Sequence, residues 1–228
     1  MFRIARRLFG SVKRRILKTP SIDYYLGSCS GVIHIGANCG QERDLYAGHR
    51  LPVVWIEPLA EPFEALTKNI RGLANQLAIK ALITDRDGER RTLHVANNDG
   101  QSSSIFDLHL HGDIWPDIHY LRDIEMVSST LPTALKEAGI DSEPYDALVL
   151  DTQGSELLIL RGAASLLSQF KFIKTEAADF ESYKGGCTVS EICSFLGNNN
   201  FSLRRKELFA HHPAGGRYFD LLFKCNAA

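Results

Sequence analysis

Two glycines, Gly36 and Gly40, follow a short apolar run that begins at Gly31. The run is rich in β-branched residues and predicts a buried parallel strand. Glycine lets the backbone turn sharply and approach a ligand, and a helix that begins near Gln41 would point its free N–H groups at the same place. The spacing is G-x-x-x-G, whereas a dinucleotide pyrophosphate site requires G-x-G-x-x-G. We therefore expect a nucleotide-like ligand other than a dinucleotide at this turn.

Three later apolar runs end in an acidic residue, at Glu57, Asp151 and Glu176. Ligands of an open parallel sheet lie outside the carboxyl ends of its strands, so Asp151 should approach the same ligand as Gly36. Glu57 follows Gly36 by roughly twenty residues, the distance at which an acid accepts hydrogen bonds from ribose hydroxyls. In the alternative interpretation, Asp151 and Ser155 only cap a helix.

Residues 97–127 show no regular periodicity and carry His109, His111, Trp115 and His119. A loop of this length inside a compact domain is usually functional or disordered, and its aromatic and histidine side chains favour an insertion that covers a substrate. The H-x-H pair could bind a metal, but without a nearby third ligand the pattern is weak. Substrate contact is the better interpretation, and no metal site is predicted.

The elements that must position these residues alternate between strands and helices. This alternation predicts an α/β fold with a doubly wound, mostly parallel, Rossmann-like sheet. The last two strands, joined by a turn at 211–216, predict an antiparallel hairpin at one sheet edge. Strands are predicted at 31–35, 53–57, 77–83, 91–96, 145–151, 170–176, 201–209 and 218–224, and helices at 61–70, from Thr130 to Gly139, and from the capping box Thr188–Glu191 onward.

The composition predicts one domain in a reducing compartment. A chain of 228 residues with 44% hydrophobic composition buries one full core and is too short for two comfortable domains. Its five cysteines are odd in number, widely spaced and without a C-x-x-C pair, so neither a disulfide framework nor a zinc site is indicated. A cytoplasmic location fits best.

The N-terminal segment is basic, with seven Lys or Arg and no acid in residues 1–18. We expect a basic arm over residues 1–25 and a single domain over residues 26–228. No signal peptide or membrane span is indicated, and no nucleic-acid partner is expected. Apolar residues at every fourth position of the arm could line one face of a helix that contacts an anionic membrane surface. A solvated or domain-packed helix is the alternative.

Several segments together resemble the FkbM family of S-adenosylmethionine-dependent methyltransferases, from about Gly31 to Phe201. The D-x-x-G-x-E element, here Asp151, Gly154 and Glu156, is more specific than the glycine motif, which many methyltransferases share. The segments that carry the resemblance are Val32–Glu42, Val54–Pro58, residues 97–106 with Ser102–Ser104, Leu150–Leu157 and Ile173–Glu176.

The resemblance implies a class I methyltransferase fold, S-adenosylmethionine as the cofactor, and O-methylation of a small molecule or carbohydrate. The sulfonium is a strong electrophile, so the protein has mainly to align an acceptor oxygen and remove its proton. Asp151, Glu176 and His111 are the candidate catalytic residues, and the sequence does not rank them. The expected cofactor contacts are His34, Gly36, Ala37, Asn38, Gly40, Glu42, Glu57, Ala81, Leu82 and Asp151.

Two other functions stay open at this point. A nicotinamide-dependent oxidoreductase would use the same type of sheet, although the glycine spacing argues against it. A non-catalytic interaction domain would bind the cofactor without methylating any acceptor. The oligomeric state cannot be read from the sequence.

Overall fold

The computed structural model describes residues 21–226. A seven-stranded sheet forms its centre, and its first five strands in spatial order run parallel. The sixth strand, Arg217–Cys225, is antiparallel to both neighbours, which confirms the predicted edge hairpin. In spatial order the strands are β3 (Gln76–Ile79), β2 (Val53–Ile56), β1 (Val32–Ile35), β7 (Ala147–Leu150), β8 (Phe172–Ala178), β10 (Arg217–Cys225) and β9 (Phe201–His211).

The strand order reverses between β1 and β7. The chain proceeds from β1 through β2 to β3 on one side, and from β7 to β8 on the other. Ile35 at the end of β1 pairs with Leu150 at the end of β7. The next residues, Gly36 and Asp151, therefore leave the sheet side by side at the switch point, where open parallel sheets bind their ligands.

Helices cover both faces of this sheet, so the predicted doubly wound α/β fold is confirmed. The six α-helices are α1 (Arg43–Gly48), α2 (Ala60–Asn69), α3 (His111–Ile114), α4 (Leu131–Glu137), α5 (Glu156–Gly162) and α6 (Val189–Asn198) within the described residues, and 3-10 helices span Ile22–Ser28 and Ala164–Gln169.

Alternation along each strand sends apolar side chains into two cores. Ile33 and Ile35 pack with residues of α4, α5 and α6, whereas Val32 packs on the opposite face with residues of α1, α2 and the first 3-10 helix. Trp55 of β2 is fully buried in the second core. Because the sheet is covered on both faces, its central strands read as continuous apolar runs.

Two helices begin at side-chain caps that were predicted from the sequence. Thr130 accepts a hydrogen bond from the Thr133 amide at the start of α4. Thr188 and Glu191 form a capping box before α6, in which each side chain accepts from the other residue's backbone N–H. These bonds satisfy amides that would otherwise lack a partner.

The strand expected at residues 77–83 is in fact divided between two sheets. Its first half is β3, but β4 (Leu82–Ile83) pairs in parallel with β6 (Tyr120–Ser129). The strand expected at 91–96 is present as β5 (Arg90–Ala96), and it pairs antiparallel with β6 in a three-stranded sheet outside the central one.

The prediction of an irregular segment at 97–127 was also partly wrong, because α3 and most of β6 lie within it. We call residues 97–127 the insertion. Ile124 and Met126 pack against the small core under β5, while the alternate residues Glu125 and Val127 are exposed. This period-two pattern was available in the sequence, but no turn residues mark where it begins.

Residues 1–20 lie outside the described range, so the predicted basic helix and its membrane contact stay predictions. Ile22 and Tyr25 are buried against the second core, which places the start of the packed structure before residue 26. No helix in residues 21–226 has the length and apolar character needed to cross a membrane.

Candidate active site

A cavity of about 290 Å³ opens at the carboxyl ends of the central strands, between the sheet and the insertion. Most of the residues predicted to contact cofactor or substrate lie around it. These are Gly36, Asn38, Glu42, Glu57, Ala81, Leu82, His111, Asp151 and Glu176. Three other predicted contacts, His34, Ala37 and Gly40, are not part of its wall.

The turn after β1 brings backbone to the cavity. Gly36 has φ 83°, and a Cβ added there would lie 1.8 Å from the carbonyl oxygen of Asp151. Its amide and that of Ala37 both donate to the Ile56 carbonyl, at 3.0 and 3.1 Å. Gly40, at φ 74°, packs on the α2 side of the turn, where a Cβ would lie 2.8 Å from Leu66. Ala37 and Gly40 therefore shape the turn without facing the cavity.

His34 lies on the opposite face of β1 from Ile33 and Ile35. Its ring stacks on Trp55 with centroids 5.2 Å apart, and its Nδ1 hydrogen-bonds to the Tyr46 hydroxyl at 3.1 Å. Burial lowers the pKa of His34 to about 4, so the ring is neutral near pH 7. The structure thus corrects the expectation of a cofactor contact: His34 packs between the sheet and α1.

Glu57 presents a fixed carboxylate at the edge of the cavity. Its side chain is 5% exposed, and its two oxygens accept hydrogen bonds from the amides of Asn38 and Leu59, at 2.8 and 2.9 Å. Burial raises the pKa of Glu57 to about 7, although the two backbone bonds oppose this rise. Each oxygen keeps a further lone pair that can accept a hydrogen bond from a ligand.

The insertion closes over the glycine turn through polar side chains. Asn38, in the left-handed region at φ 42°, donates from Nδ2 to the carbonyl of Asp99 at 2.9 Å. Asn98 and Ser102 bond to each other through side chain and backbone, at 2.9 and 3.1 Å. Residues of the insertion line the cavity, and its role as a substrate cover stays a prediction. The individual residues Asn98 and Ser102 were not predicted as site residues.

Glu156 organises the loop that carries Asp151. Its buried carboxylate accepts hydrogen bonds from the backbone amides of Thr152 and Gly154, at 3.0 Å each, and from the thiol of Cys187 at 3.3 Å. The D-x-x-G-x-E pattern is thereby explained: the glycine at φ 102° makes the turn, and the glutamate holds it. Glu156 supports the site, and Asp151 faces the cavity.

Asp151 directly follows β7 and Glu176 lies within β8, each one residue beyond the cross-strand pair Leu150 and Thr175. Burial raises the pKa of both carboxyls, and the negative charge of Asp151 raises the pKa of Glu176 further. Asp220, opposite Glu176 on β10, acts in the same direction. Two carboxyls in this arrangement retain a proton more readily than isolated ones, and an ionised member is a stronger base.

His111 lies in an aromatic environment at 2% exposure. Its ring contacts Trp115 and Tyr183 at centroid distances of 4.6 and 5.0 Å, and its Nδ1 has no hydrogen-bond partner among residues 21–226. Burial lowers the pKa of His111 to about 4, which makes it a weaker base than an ordinary histidine. His109 turns away to the Glu181 carbonyl, and the described residues hold no cluster suited to a metal ion.

An aromatic wall, formed by Trp115, Phe209 and Tyr218, completes the cavity. The Trp115 ring lies 5.6 Å from that of Tyr218 and 6.2 Å from that of Phe209. Sequence reasoning assigned Trp115 to the insertion but missed Phe209 and Tyr218 as site residues. No local pattern shows that a closing hairpin will fold beside an insertion that precedes it by about a hundred residues.

The raised pKa of the partly buried Asp151 predicts a pH-dependent difference in stability. The unfolded chain releases the Asp151 proton at lower pH than the folded protein, so wild-type stability is lost as pH rises through the folded pKa of about 7. The Asp151→Asn variant lacks this proton. We expect its free energy of unfolding to rise relative to wild type between pH 5 and pH 8.

Urea unfolding across this pH range measures the difference. His34 and His111 titrate in the opposite sense, but they are present in both proteins and largely cancel. Asp44→Asn, at an exposed site on α1, is the matched control and should show no such trend. A difference between Asp151→Asn and wild type that is constant from pH 5 to pH 8 would contradict the burial of an ionisable Asp151.

Comparisons with known proteins match this chain to methyltransferases. A sequence profile of the methyltransferase FkbM domain matches residues 34–203. The 2-O-methyltransferase NoeI of Sinorhizobium fredii is 26% identical over 195 residues, which cover 81% of this chain and 75% of that protein.

Among solved structures, the 1,6-didemethyltoxoflavin-N1-methyltransferase of Burkholderia thailandensis aligns with TM-score 0.49 and 10% identity, over 89% of this chain and 74% of that one. The magnesium protoporphyrin IX methyltransferase of Synechocystis aligns with TM-score 0.44 and 12% identity, over 84% and 68%.

The residues of the cavity also fit S-adenosylmethionine chemically. Glu57 offers anchored acceptor oxygens for ribose hydroxyls, and Gly36 lines the cavity with backbone alone. Leu59, Ala81 and Leu82 supply apolar wall beside Glu57. Since the profile match spans most of the chain and the cavity suits the cofactor, the chain belongs to the FkbM family of S-adenosylmethionine-dependent methyltransferases.

Proposed function

We propose that this methyltransferase transfers the methyl group to a hydroxyl oxygen of a small molecule or carbohydrate. The observation that carries the proposal is Asp151, a carboxyl beside the glycine turn that lines one cavity together with Glu176 and the aromatic wall. Oxygen methylation requires removal of a hydroxyl proton, and a carboxylate of raised pKa suits that task. The relative NoeI is a 2-O-methyltransferase, which supports the same type of acceptor atom.

The cofactor half of the site is assigned to the side of β1 and β2. Glu57 binds the ribose, and the turn at Gly36 and Asn38 approaches the ligand with its backbone. Glu42, Ala81 and Leu82 form the adjoining wall. Ala37 and Gly40 act indirectly, since they set the conformation of the turn.

The acceptor half is assigned to the side of β7, β8 and the aromatic wall. When bound, S-adenosylmethionine supplies an electrophilic methyl group. Asp151 takes the proton of the acceptor hydroxyl, since one of its oxygens is held by Gln153 at 2.7 Å and the carboxyl faces the cavity. Glu176 lies next to it and retains a proton at higher pH because burial and Asp151 both raise its pKa.

The aromatic wall favours a compact acceptor with both apolar and hydroxylated surface. The rings of Trp115 and Tyr218 offer a bound acceptor a large apolar contact area. The Tyr218 hydroxyl is already engaged, since it donates to the Ser182 hydroxyl at 2.9 Å. The cavity volume of about 290 Å³, shared with the cofactor, limits how much of a large acceptor can enter.

The experiment is a screen of hydroxylated acceptors with S-adenosylmethionine that carries a labelled methyl group. We expect label to appear in an O-methyl ether of a sugar or small-molecule acceptor, and to be lost in Asp151→Asn. Label transferred only to nitrogen or sulfur acceptors would contradict the proposal. Cofactor binding without transfer to any acceptor in the panel would favour the non-catalytic interaction domain.

A further inference from the structure

Gln153, between Asp151 and Gly154, has an unusual backbone conformation. Its φ is 54°, in the left-handed region that costs a non-glycine residue free energy and persists only where the surroundings hold it. Three hydrogen bonds hold Gln153 in this conformation. The Ser104 hydroxyl donates to its carbonyl at 2.7 Å, the Tyr183 hydroxyl donates to its Oε1 at 2.6 Å, and its Nε2 donates to Asp151 Oδ1 at 2.7 Å.

Tyr183 fixes the direction of the Gln153 amide. The tyrosine is 1% exposed, and burial raises the pKa of its hydroxyl far above the usual range, so the hydroxyl remains a donor. Because it donates to Gln153, the amide oxygen must face Tyr183 and the NH₂ group must face Asp151. A flipped amide would place its NH₂ against the Tyr183 hydroxyl and its oxygen against a carboxylate oxygen.

Tyr183 is itself held rigidly against the Asp151 loop. A Cβ added at Gly154 would lie 3.2 Å from the Tyr183 side chain, and the ring contacts that of His111 at a centroid distance of 5.0 Å. The chain of contacts therefore runs from a packed aromatic ring through an amide to one oxygen of Asp151. The other oxygen, Oδ2, accepts no hydrogen bond from residues 21–226, so the contacts leave it available.

We propose that Tyr183 and Gln153 are positioning residues that hold Asp151 Oδ1 and leave Oδ2 to receive the proton of the methyl acceptor. The proposal rests on the proposed function, in which Asp151 is the base. It differs from a purely structural role of the loop, because the Gln153 N–H favours the ionised carboxylate over the protonated one. The base is thereby kept both oriented and deprotonated in a cavity that otherwise opposes its ionisation.

The surrounding charges also influence the pKa of Asp151. Burial is the largest influence and raises the pKa of Asp151, the Gln153 bond lowers it, and the neighbouring carboxyls raise it further. His111 on the insertion side is neutral near pH 7, and Lys174 on β8 is paired with Asp23 at 2.8 Å. The acids facing the Asp151 carboxyl from packed elements are Glu42, Glu57, Glu156, Glu176 and Asp220.

The test compares Gln153→Met and Tyr183→Phe with wild type. The first removes the donor to Asp151 with little change in volume, and the second removes only the hydroxyl that orients the amide. The pKa of Asp151 is measured by carbon NMR in the protein without acceptor, and the pH profile of kcat/KM for the acceptor, which reports the same free-enzyme pKa, is measured alongside it. We expect both to move to higher pH in Gln153→Met, by roughly one to two units. Tyr183→Phe should move them in the same direction by less.

Tyr120→Phe is the matched control. The Tyr120 hydroxyl, in the insertion, donates at 2.6 Å to the Phe106 carbonyl. Within the described part of the chain it is linked to Gln153 only through Ser104, which bonds to the backbone carbonyl of Gln153 and not to its amide. Its removal should change the unfolding temperature about as much as Tyr183→Phe, but leave the Asp151 pKa and the pH profile as in wild type. Calorimetry with S-adenosylmethionine should give the wild-type affinity in all three variants.

The results separate this proposal from the function on which it rests. An unchanged Asp151 pKa in folded Gln153→Met and Tyr183→Phe overturns the positioning role, and so does a shifted pKa with an unshifted profile. Failure of the proposed function is seen elsewhere, as methyl transfer by Asp151→Asn at the wild-type rate. Parallel shifts of the pKa and the profile in Gln153→Met, absent from Tyr120→Phe, establish the positioning role.

Discussion

The Asp151→Asn variant is expected to turn over about 10²–10⁴-fold more slowly than wild type, the range typical of losing a general base. Asparagine keeps the shape of the side chain and an oxygen that can accept the hydrogen bond from Gln153. It cannot take a proton from a hydroxyl. Because Glu57 and the turn at Gly36 are untouched, the affinity for S-adenosylmethionine should change little.

Steady-state rates and calorimetry together check this expectation. Asp220→Asn is the matched control, since Asp220 is an acid on the neighbouring strand β10 that is not part of the cavity wall. Its rate should stay within about tenfold of wild type, as expected for a group that acts through charge alone. If Asp151→Asn binds the cofactor normally and methylates at the wild-type rate, the base lies elsewhere. Glu176→Gln and then His111→Ala would follow.

The Glu57→Ala variant should bind S-adenosylmethionine more weakly by about 1.5–3 kcal/mol, the range for a hydrogen bond to a charged group. This corresponds to roughly a 10- to 150-fold rise in Kd. The carboxylate is anchored by two backbone amides, so a ligand meets it already in place and spends little entropy in ordering it. Burial raises its pKa to about 7, and wild-type affinity should therefore increase as pH rises through that value.

Calorimetry at pH 6 and pH 8 measures both effects. Glu61→Ala is the control, because Glu61 is an exposed acid on the first turn of α2 whose partner is Arg122. Since the alanine at position 57 leaves two amides without their acceptor, unfolding must be followed in parallel to confirm that the variant is folded. Unchanged affinity in a folded Glu57→Ala protein would contradict the assignment of the ribose to Glu57.

The central sheet could be predicted from the sequence because its signals are local. Buried parallel strands read as apolar runs, and Thr130 and Thr188 mark helix starts through their own side chains. The three-stranded sheet of β4, β6 and β5 could not be predicted in this way, because its signals are not local. Two residues of β4 are too few for a pattern, and β6 is recognised as a strand only when its pairing with β5 is known.

The candidate site was also predicted only in part from the sequence. Gly36, Glu57 and Asp151 were predicted because each follows a strand end, and the sheet brings strand ends together. Gln153 and Tyr183 were not predicted, because their role depends on a contact between a loop and a segment thirty residues away. His34 was expected at the cofactor, but strand alternation turns it to the other face of β1.

The measurement that tests the central claim most directly is a crystal structure with S-adenosylhomocysteine bound. The account predicts that the ribose hydroxyls lie within hydrogen-bonding distance of the Glu57 carboxylate and that the sulfur faces the space beside Asp151. The aromatic wall of Trp115, Phe209 and Tyr218 should remain free for an acceptor. A complex in which the ribose has no contact with Glu57, or in which the product fills the aromatic wall instead, would contradict it.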